Sequence, residues 1–371
     1  MKKIGDTNTF DKILLTLTLI ITTIGFSFFV SAALGIFAKD SAKFYNILVN
    51  QSVFVVTGIF ALFVTAKFLP YELLRRYALY IFGLGLLVCF LVFIPGLGFS
   101  HGGATRWINL GITTFQTGEL LKIAAVIYCA GWFSIFKHKI AESRYGLIPL
   151  CIILALSGIA LLLQPDTDTF LVLAVACVSV YFAAGAPWKN IFILGGLGLM
   201  LLVGLVAARP YLLDRVLTYV GTGTADKQGS GYQAYQSLLT VGSGGIVGQG
   251  IGQSVQKFGF LPEPAGDSIF AVIAEETGLI GSSILLLLYL LFFLRIVHIA
   301  RRAENTFGGL LALGIGILIL VQAFLNIGSM IGIVPLSGLP LPLVSHGGTA
   351  LFLTLIQIGI VLNISKNIRT I

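Results

Sequence analysis

The chain of 371 residues is 57% hydrophobic and only 10% charged, with a mean hydropathy of +0.99. A soluble domain carries charge on about a quarter of its residues, so most of this surface must face a medium other than water. The formal charge of +8 does not mark a nucleic-acid binder, because the basic residues are scattered in twos and threes rather than gathered into a stripe.

Apolar runs of about 20 residues recur without the period-2 alternation of an outer-membrane barrel, so spanning helices are the structure that satisfies the backbone in lipid. In chain order the runs predict ten spans near residues 12–35, 46–66, 73–95, 117–136, 147–163, 168–186, 190–208, 268–296, 307–331 and 345–364. Lys2, Lys3 and Lys12 before the first run imitate a signal peptide, yet that run is longer than a cleavable core and further spans follow. With the N-terminus inside, the inside segments hold 15 of the 23 basic residues, which places both termini in the cytoplasm. The long segment 209–267 then falls on the outer face; its glycines and aromatics predict an ordered loop with short helical pieces packed over the bundle. The expectation is an all-α polytopic membrane protein, one integral membrane domain over residues 1–371. Cys89, Cys129, Cys151 and Cys177 lie in apolar runs without paired spacing, so they read as packing residues rather than a disulfide or zinc framework.

Charges inside these runs are the candidates for chemistry. Glu119 and Lys122 stand at i and i+3 on one face of the fourth span, where they serve either as a structural ion pair or as the lining of a polar cavity. Asp267 precedes the eighth span where the outer loop re-enters the bundle, as an N-cap or as a group at a cavity mouth. Glu275 and Glu276 follow two turns further in. Gln164-Pro165-Asp166-Thr167-Asp168-Thr169 and Ser345-His346-Gly347-Gly348 break apolar surroundings as turns or as site elements. The Gly-rich string in residues 241–252 lacks the βαβ context and the Lys-Ser/Thr pair of a nucleotide loop, although such a backbone can still cradle an anion.

The motifs Arg106-Trp107-Ile108, Gln116-Thr117-Gly118-Glu119 with Lys122, Gln164-Pro165-Asp166, Gly231-Tyr232-Gln233, Gln236-Ser237, Gln256-Lys257, Leu261-Pro262-Glu263, Asp267, Glu275-Glu276, Asn326, Gly338-Leu339-Pro340-Leu341-Pro342 and Ser345-His346-Gly347-Gly348 resemble, in this order, those of the SEDS family of shape, elongation, division and sporulation proteins. The resemblance covers nearly the whole chain and is nearest the division branch. It implies an inverting glycosyltransferase that polymerises lipid II into peptidoglycan strands on the outer face of the cytoplasmic membrane. It makes Asp267 the catalytic residue and places Arg106, Glu119, Lys122, Lys257, Gln236 and Ser345 around the substrate. It also implies a class B penicillin-binding transpeptidase as partner and undecaprenyl-pyrophosphate-linked glycan as ligand. On this resemblance Asp267 is the base for the acceptor hydroxyl, while Lys122, Arg106 and Lys257 offset the charge developing on the pyrophosphate. No metal spacing is recognisable, and a divalent cation (Mg or Mn) riding on the substrate is compatible with a single carboxylate. The chain departs from the family pattern at Thr117-Gly118, Thr167-Asp168, Ala265-Gly266 and His346. Two other readings are a flippase for lipid-linked precursors and a non-catalytic scaffold that recruits a transpeptidase.

Overall fold

The computed structural model describes residues 10–101, 104–111, 113–220 and 230–367; Lys2, Lys3, Lys227 and Arg369, which enter the charge balance above, lie outside the described residues. In chain order the elements are α1 (Lys12–Phe37), α2 (Ser41–Phe68), α3 (Tyr71–Arg76), α4 (Ala78–Leu91), β1 (Gly98–His101), β2 (Ala104–Asn109), β3 (Thr114–Gln116), α5 (Thr117–Ile135), α6 (Leu147–Leu163), α7 (Thr167–Ala183), α8 (Trp188–Ala208), α9 (Pro210–Val220), α10 (Ser230–Ser243), α11 (Ile269–Arg302), α12 (Thr306–Met330) and α13 (Gly348–Ser365). Among the described residues seven of these, α1, α2, α5, α8, α11, α12 and α13, are long and apolar enough to cross a membrane, and the shorter apolar α4, α6 and α7 complete the ten predicted spans.

Local chemistry sets several of the boundaries. Asp11 accepts from the Leu14 amide at 2.8 Å and starts α1, Asp40 does the same for Lys43 at 2.9 Å at the head of α2, and Asn305 caps α12 through Gly308 at 2.8 Å. Asp11 also forms an ion pair of 2.6 Å with Arg295 near the end of α11, and its amide donates to Ser365 Oγ at the end of α13 at 3.0 Å. The start of α1 and the ends of α11 and α13 therefore share one end of the bundle. The described residues thus begin and finish on the same side.

α5, α12 and α13 are the most enclosed spans, and α2 packs closely on α13. Gly359 of α13 makes that approach possible, since a Cβ there would stand 2.7 Å from the carbonyl oxygen of Leu62. α8 is the opposite case: it buries only Asn190 and Leu194, and its other side chains face lipid on nearly every side.

Three features differ from the expected spans. The run 73–95 is not one helix, because α3 ends at Arg76 and α4 starts at Ala78, with Tyr77 as the cap between them. The segment before α5 holds an antiparallel sheet in the order β1-β2-β3, with Phe99 opposite Trp107 and Trp107 opposite Gln116. The third is a break in α11 at Gly278, whose φ of 66° belongs to the left-handed half of the map. The backbone groups released there are taken up by the glycine-rich string. Gln249 and Gly250 donate to the carbonyls of Glu275 and Glu276 at 2.9 and 3.0 Å, and Leu279 and Ile280 donate back to Gly245 and Ile246 at 2.9 and 3.1 Å. Gly248 must lack a side chain here, since a Cβ would lie 2.2 Å from the Glu276 oxygen. The string is thus a plug for a broken helix, which is how irregular backbone is tolerated at this depth. Its amides at 249 and 250 are spent on carbonyls rather than on an anion.

Candidate active site

Asp267 lies at the last turn of the long loop that the sequence places outside, one residue before the N-cap of α11. The N-cap is Ser268, whose side chain makes no capping bond, and the Asp267 carboxylate takes the amides of Asp267 and Ser268 rather than one within α11. Its carboxylate is partly buried and accepts from Gln233 Nε2 of α10 at 3.3 Å, while the same amide nitrogen reaches Ser268 Oγ at 3.0 Å. From the bundle, Asn326 Nδ2 of α12 donates to the Asp267 carbonyl at 2.7 Å and to that of Leu339 at 2.8 Å. Burial, reinforced by the charge of Glu263 and opposed by the Gln233 hydrogen bond, pushes the Asp267 carboxyl up to about 7.

One helical turn along α12 from Asn326, Gln322 serves the second cluster. Lys122 Nζ donates to Glu119 Oε1 at 2.8 Å and to Gln322 Oε1 at 2.6 Å, and Gln322 Nε2 donates to the Pro340 carbonyl at 2.9 Å. The predicted i,i+3 pair is present, and both side chains are 2% exposed. Gln322 was not anticipated by the sequence reading. Two amides at i and i+4 in an apolar span were the available signal. The two amides hold Asp267 and Lys122 to neighbouring turns of one helix, and both bind carbonyls of the 339–340 segment.

Arg106, carried by β2, faces the turn between α6 and α7. Its guanidinium stands 3.7 Å from Asp166 Oδ1, donates to the carbonyls of Gln164 and Pro165, and is 19% exposed. Gln164 Nε2 reaches the Cys89 carbonyl at 2.7 Å, and its Oε1 accepts from Thr117 at 3.2 Å, which ties this turn to α4 and to the head of α5. Burial raises the Asp166 carboxyl above the usual range, with Arg106 pulling the other way. Two of the departures from the family pattern have partners. Asp168 pairs with Arg215 of α9 at 3.1 Å and accepts the Gly338 amide at 3.3 Å; the His346 ring meets Gln51 Oε1 at 3.0 Å and stacks on Phe29, and its amide donates to the Ala265 carbonyl at 2.8 Å.

The remaining expected site residues are placed differently. Lys257 does not face an open cavity: its ammonium is fully enclosed and donates to Glu276 Oε1 at 2.8 Å, Ser31 Oγ at 3.0 Å and the Gly252 carbonyl at 2.8 Å. All three of its donors are used, because the outer loop folds back on the first half of α11. Glu275 binds the same loop through Ser254 Oγ and the Val255 amide, the latter at 3.1 Å. Ser345 is buried, and its Oγ accepts from the Leu341 amide at 2.8 Å to close a turn. Gln236 stands on α10, three residues from Gln233, with its Oε1 buried and without a hydrogen-bond partner. Among the described residues no three His, Cys, Asp or Glu side chains converge on a common metal position.

A bundle of apolar helices that holds a partly buried carboxylate between a long loop and its core defines a multi-pass membrane protein with a polar site at one end. The family model described as "Cell cycle protein", that of FtsW, RodA and SpoVE, matches residues 11–370, and the chain belongs to this family. It is 35% identical over 361 residues to the stage V sporulation protein E of Bacillus subtilis (strain 168), covering 97% of this chain and 98% of that protein. It is also 35% identical over 360 residues to a probable peptidoglycan glycosyltransferase FtsW of Geobacter sulfurreducens (strain DL-1 / KN400), covering 97% and 96%. Among solved structures, a chain of a peptidoglycan synthase complex that coordinates polymerization and crosslinking superposes with a TM-score of 0.78 at 29% identity, covering 96% of this chain and 97% of that one. The rod-shape-determining protein RodA of Thermus thermophilus superposes with a TM-score of 0.70 at 27% identity, covering 97% and 98%.

Proposed function

We propose that this protein is a peptidoglycan glycosyltransferase of cell division or cell-shape maintenance, nearest the division type, polymerising lipid II on the outer face of the bacterial cytoplasmic membrane with both termini in the cytoplasm. The observation that carries the reading is Asp267, a carboxyl pushed up to about 7 and held between Gln233 of the outer loop and Asn326 of the bundle. A base with a pKa near the working pH accepts a proton most effectively in a transition state. The acceptor hydroxyl gives its proton to Asp267 as its oxygen bonds to the anomeric carbon of the donor. The bond to the lipid diphosphate breaks, its electron pair stays with the diphosphate oxygen, and an α-linked donor yields a β-linked chain.

Arg106 keeps part of its guanidinium accessible and is the cation suited to the departing diphosphate. Lys122, closed in by Glu119 and Gln322, acts by fixing the α12 face that also holds Asp267. Gln236 turns its carbonyl oxygen inward, away from substrate, and contributes through α10, which also carries Gln233. Ser345 contributes through the turn it closes, and Lys257 through the loop it ties down. A divalent cation brought in on the diphosphate would find Asp267 and the exposed Glu263 within one loop. The lack of packing around α8 leaves seams where polyprenyl tails can stay in the bilayer while their sugars reach the loop. The likeness to a chain of a synthase complex supports a class B penicillin-binding transpeptidase as partner.

The test is incubation of the purified full chain with lipid II, with and without such a transpeptidase, and resolution of the glycan products on a gel. Asp267→Asn should remove polymer by about a hundredfold or more while leaving the unfolding transition cooperative. Polymer formed at the parental rate by the folded variant would sink the assignment. Movement of lipid II across vesicles without any polymer would favour the transporter reading, and loss of product on chelation would establish the cation.

A further inference from the structure

At the end of the bundle opposite Asp267, where α11 finishes and α12 starts, a groove of about 520 Å³ is lined by Glu72, Arg75, Arg76, Ile135, Asn305 and Phe307. Two arginines and one glutamate line it, so the lining is net positive; a second carboxylate, Glu304, adjoins the wall close enough to act on Tyr71. Among the described residues neither Arg75 nor Arg76 has a carboxylate within ion-pair distance, whereas Arg295 at the same end is neutralised by Asp11 at 2.6 Å. The aliphatic stem of Arg75 rests 3.9 Å from the Cβ position of Gly131, and the Arg76 guanidinium lies 5.7 Å from the Tyr77 ring, so both side chains are braced by packing. The wall is firm as well, because Asn305 is engaged through both amide atoms, to Gly308 and to the Tyr71 hydroxyl, each at 2.8 Å.

The neighbourhood of the groove is apolar. Leu73, Tyr77, Tyr80 and Ile135 are all exposed on the helices that bound it, and tyrosines at this level are the side chains that sit at a headgroup layer. A groove with paired cations inside and an apolar rim toward the bilayer fits a ligand with an anionic head and a hydrocarbon body. A free anion would use only the first feature, and an acidic protein tail would have to enter the headgroup layer to reach it.

We propose that this groove is a binding site for an anionic phospholipid of the surrounding bilayer, with the phosphodiester on Arg75 and Arg76 and the start of the acyl chains against Ile135 and Leu73. The site rests on the spanning assignment and is independent of glycosyl transfer. Its role is to anchor the α3 corner, where α5 and α12 meet, at a fixed depth in the leaflet.

The experiment is native mass spectrometry of the full chain in nanodiscs and mixed micelles of phosphatidylglycerol or phosphatidylcholine, with a titration of retained lipid. The parent should retain phosphatidylglycerol with at least tenfold preference. Arg75→Gln with Arg76→Gln should weaken it roughly thirtyfold, as two juxtamembrane cations would. Ile135→Trp, which fills the groove and leaves the charges in place, should also weaken it and decides the matter if the arginine variant does not fold. Lys137→Gln with Lys139→Gln removes the same charge outside the groove and should change retention less than twofold. Equal loss in the lysine variant, unchanged retention in the groove variants, or displacement of the lipid by an equal concentration of inorganic phosphate or of an acidic peptide would each overturn the proposal.

Discussion

On the proposed mechanism Asp267 removes a proton only while ionised, so its raised carboxyl would set the acid limb of the activity. Polymerisation should fall with a one-proton slope below about pH 7, and a pH profile of the initial rate checks this. The same shift has a stability consequence of defined sign. The folded chain holds the Asp267 proton more tightly than the unfolded chain, whose carboxyl titrates near 3.9, so the group's contribution declines as pH rises from about 4 to about 7. Asp267→Asn should therefore raise the thermal midpoint relative to the parent at about pH 8 and leave it nearly unchanged below about pH 4. A second residue-scale expectation concerns Lys257. Lys257→Met leaves Glu276 buried without its cation and should cost about 3–5 kcal/mol in denaturant unfolding, whereas Lys257→Met with Glu276→Gln should recover most of it. If the ammonium touches substrate instead, the repaired double variant will fold and stay inactive.

Between residues and bundle, the broken α11 is the element that sets the site. Its first half carries Glu275 and Glu276, which tie down the loop preceding Asp267, and its second half is a lipid-facing span. The glycine string joins them only if its backbone can lie against the break. Gly248→Ala forces a Cβ onto the Glu276 carbonyl in a left-handed residue and should destabilise by about 2–4 kcal/mol, with loss of polymer. Gly242→Ala, helical with open space around its Cβ position, should be neutral or stabilise by up to about 1 kcal/mol. Thermal unfolding of the two variants side by side separates backbone fit from a general intolerance of the loop to substitution. The short sheet works at the same scale, since β2 carries Arg106 over the α6–α7 turn.

Across the whole molecule, the polar groups form a continuous layer near one end of an apolar bundle. Gly338 to His346 runs through that layer: Gly338 meets Asp168, Leu339 meets Asn326, Pro340 meets Gln322, and His346 meets Ala265. One stretch of backbone thereby joins the separate clusters. The opposite end is basic and holds the start of α1 and the end of α13. α8 lies against little of this framework, which makes it the span with least to lose on moving in the bilayer.

Span number and class were legible in the sequence because each crossing needs about 20 apolar residues, whatever its neighbours do. The Glu119–Lys122 pair was legible for a similar reason, its geometry being contained in one helical turn. Asp267 stood out as a carboxylate at the edge of a span, but its two roles, cap or site, were indistinguishable until the neighbours supplied by α10 and α12 were known. Lys257 and Glu276 are 19 residues apart, and nothing local says that the loop folds back to bury them together. Gly278 reads like any glycine in an apolar run; only the string that fills the break explains it. Composition and short-range spacing determined the bundle and its medium, because lipid acts on every segment independently. Tertiary packing alone decided which polar groups meet, because desolvation and hydrogen bonding depend on partners brought in from distant parts of the chain.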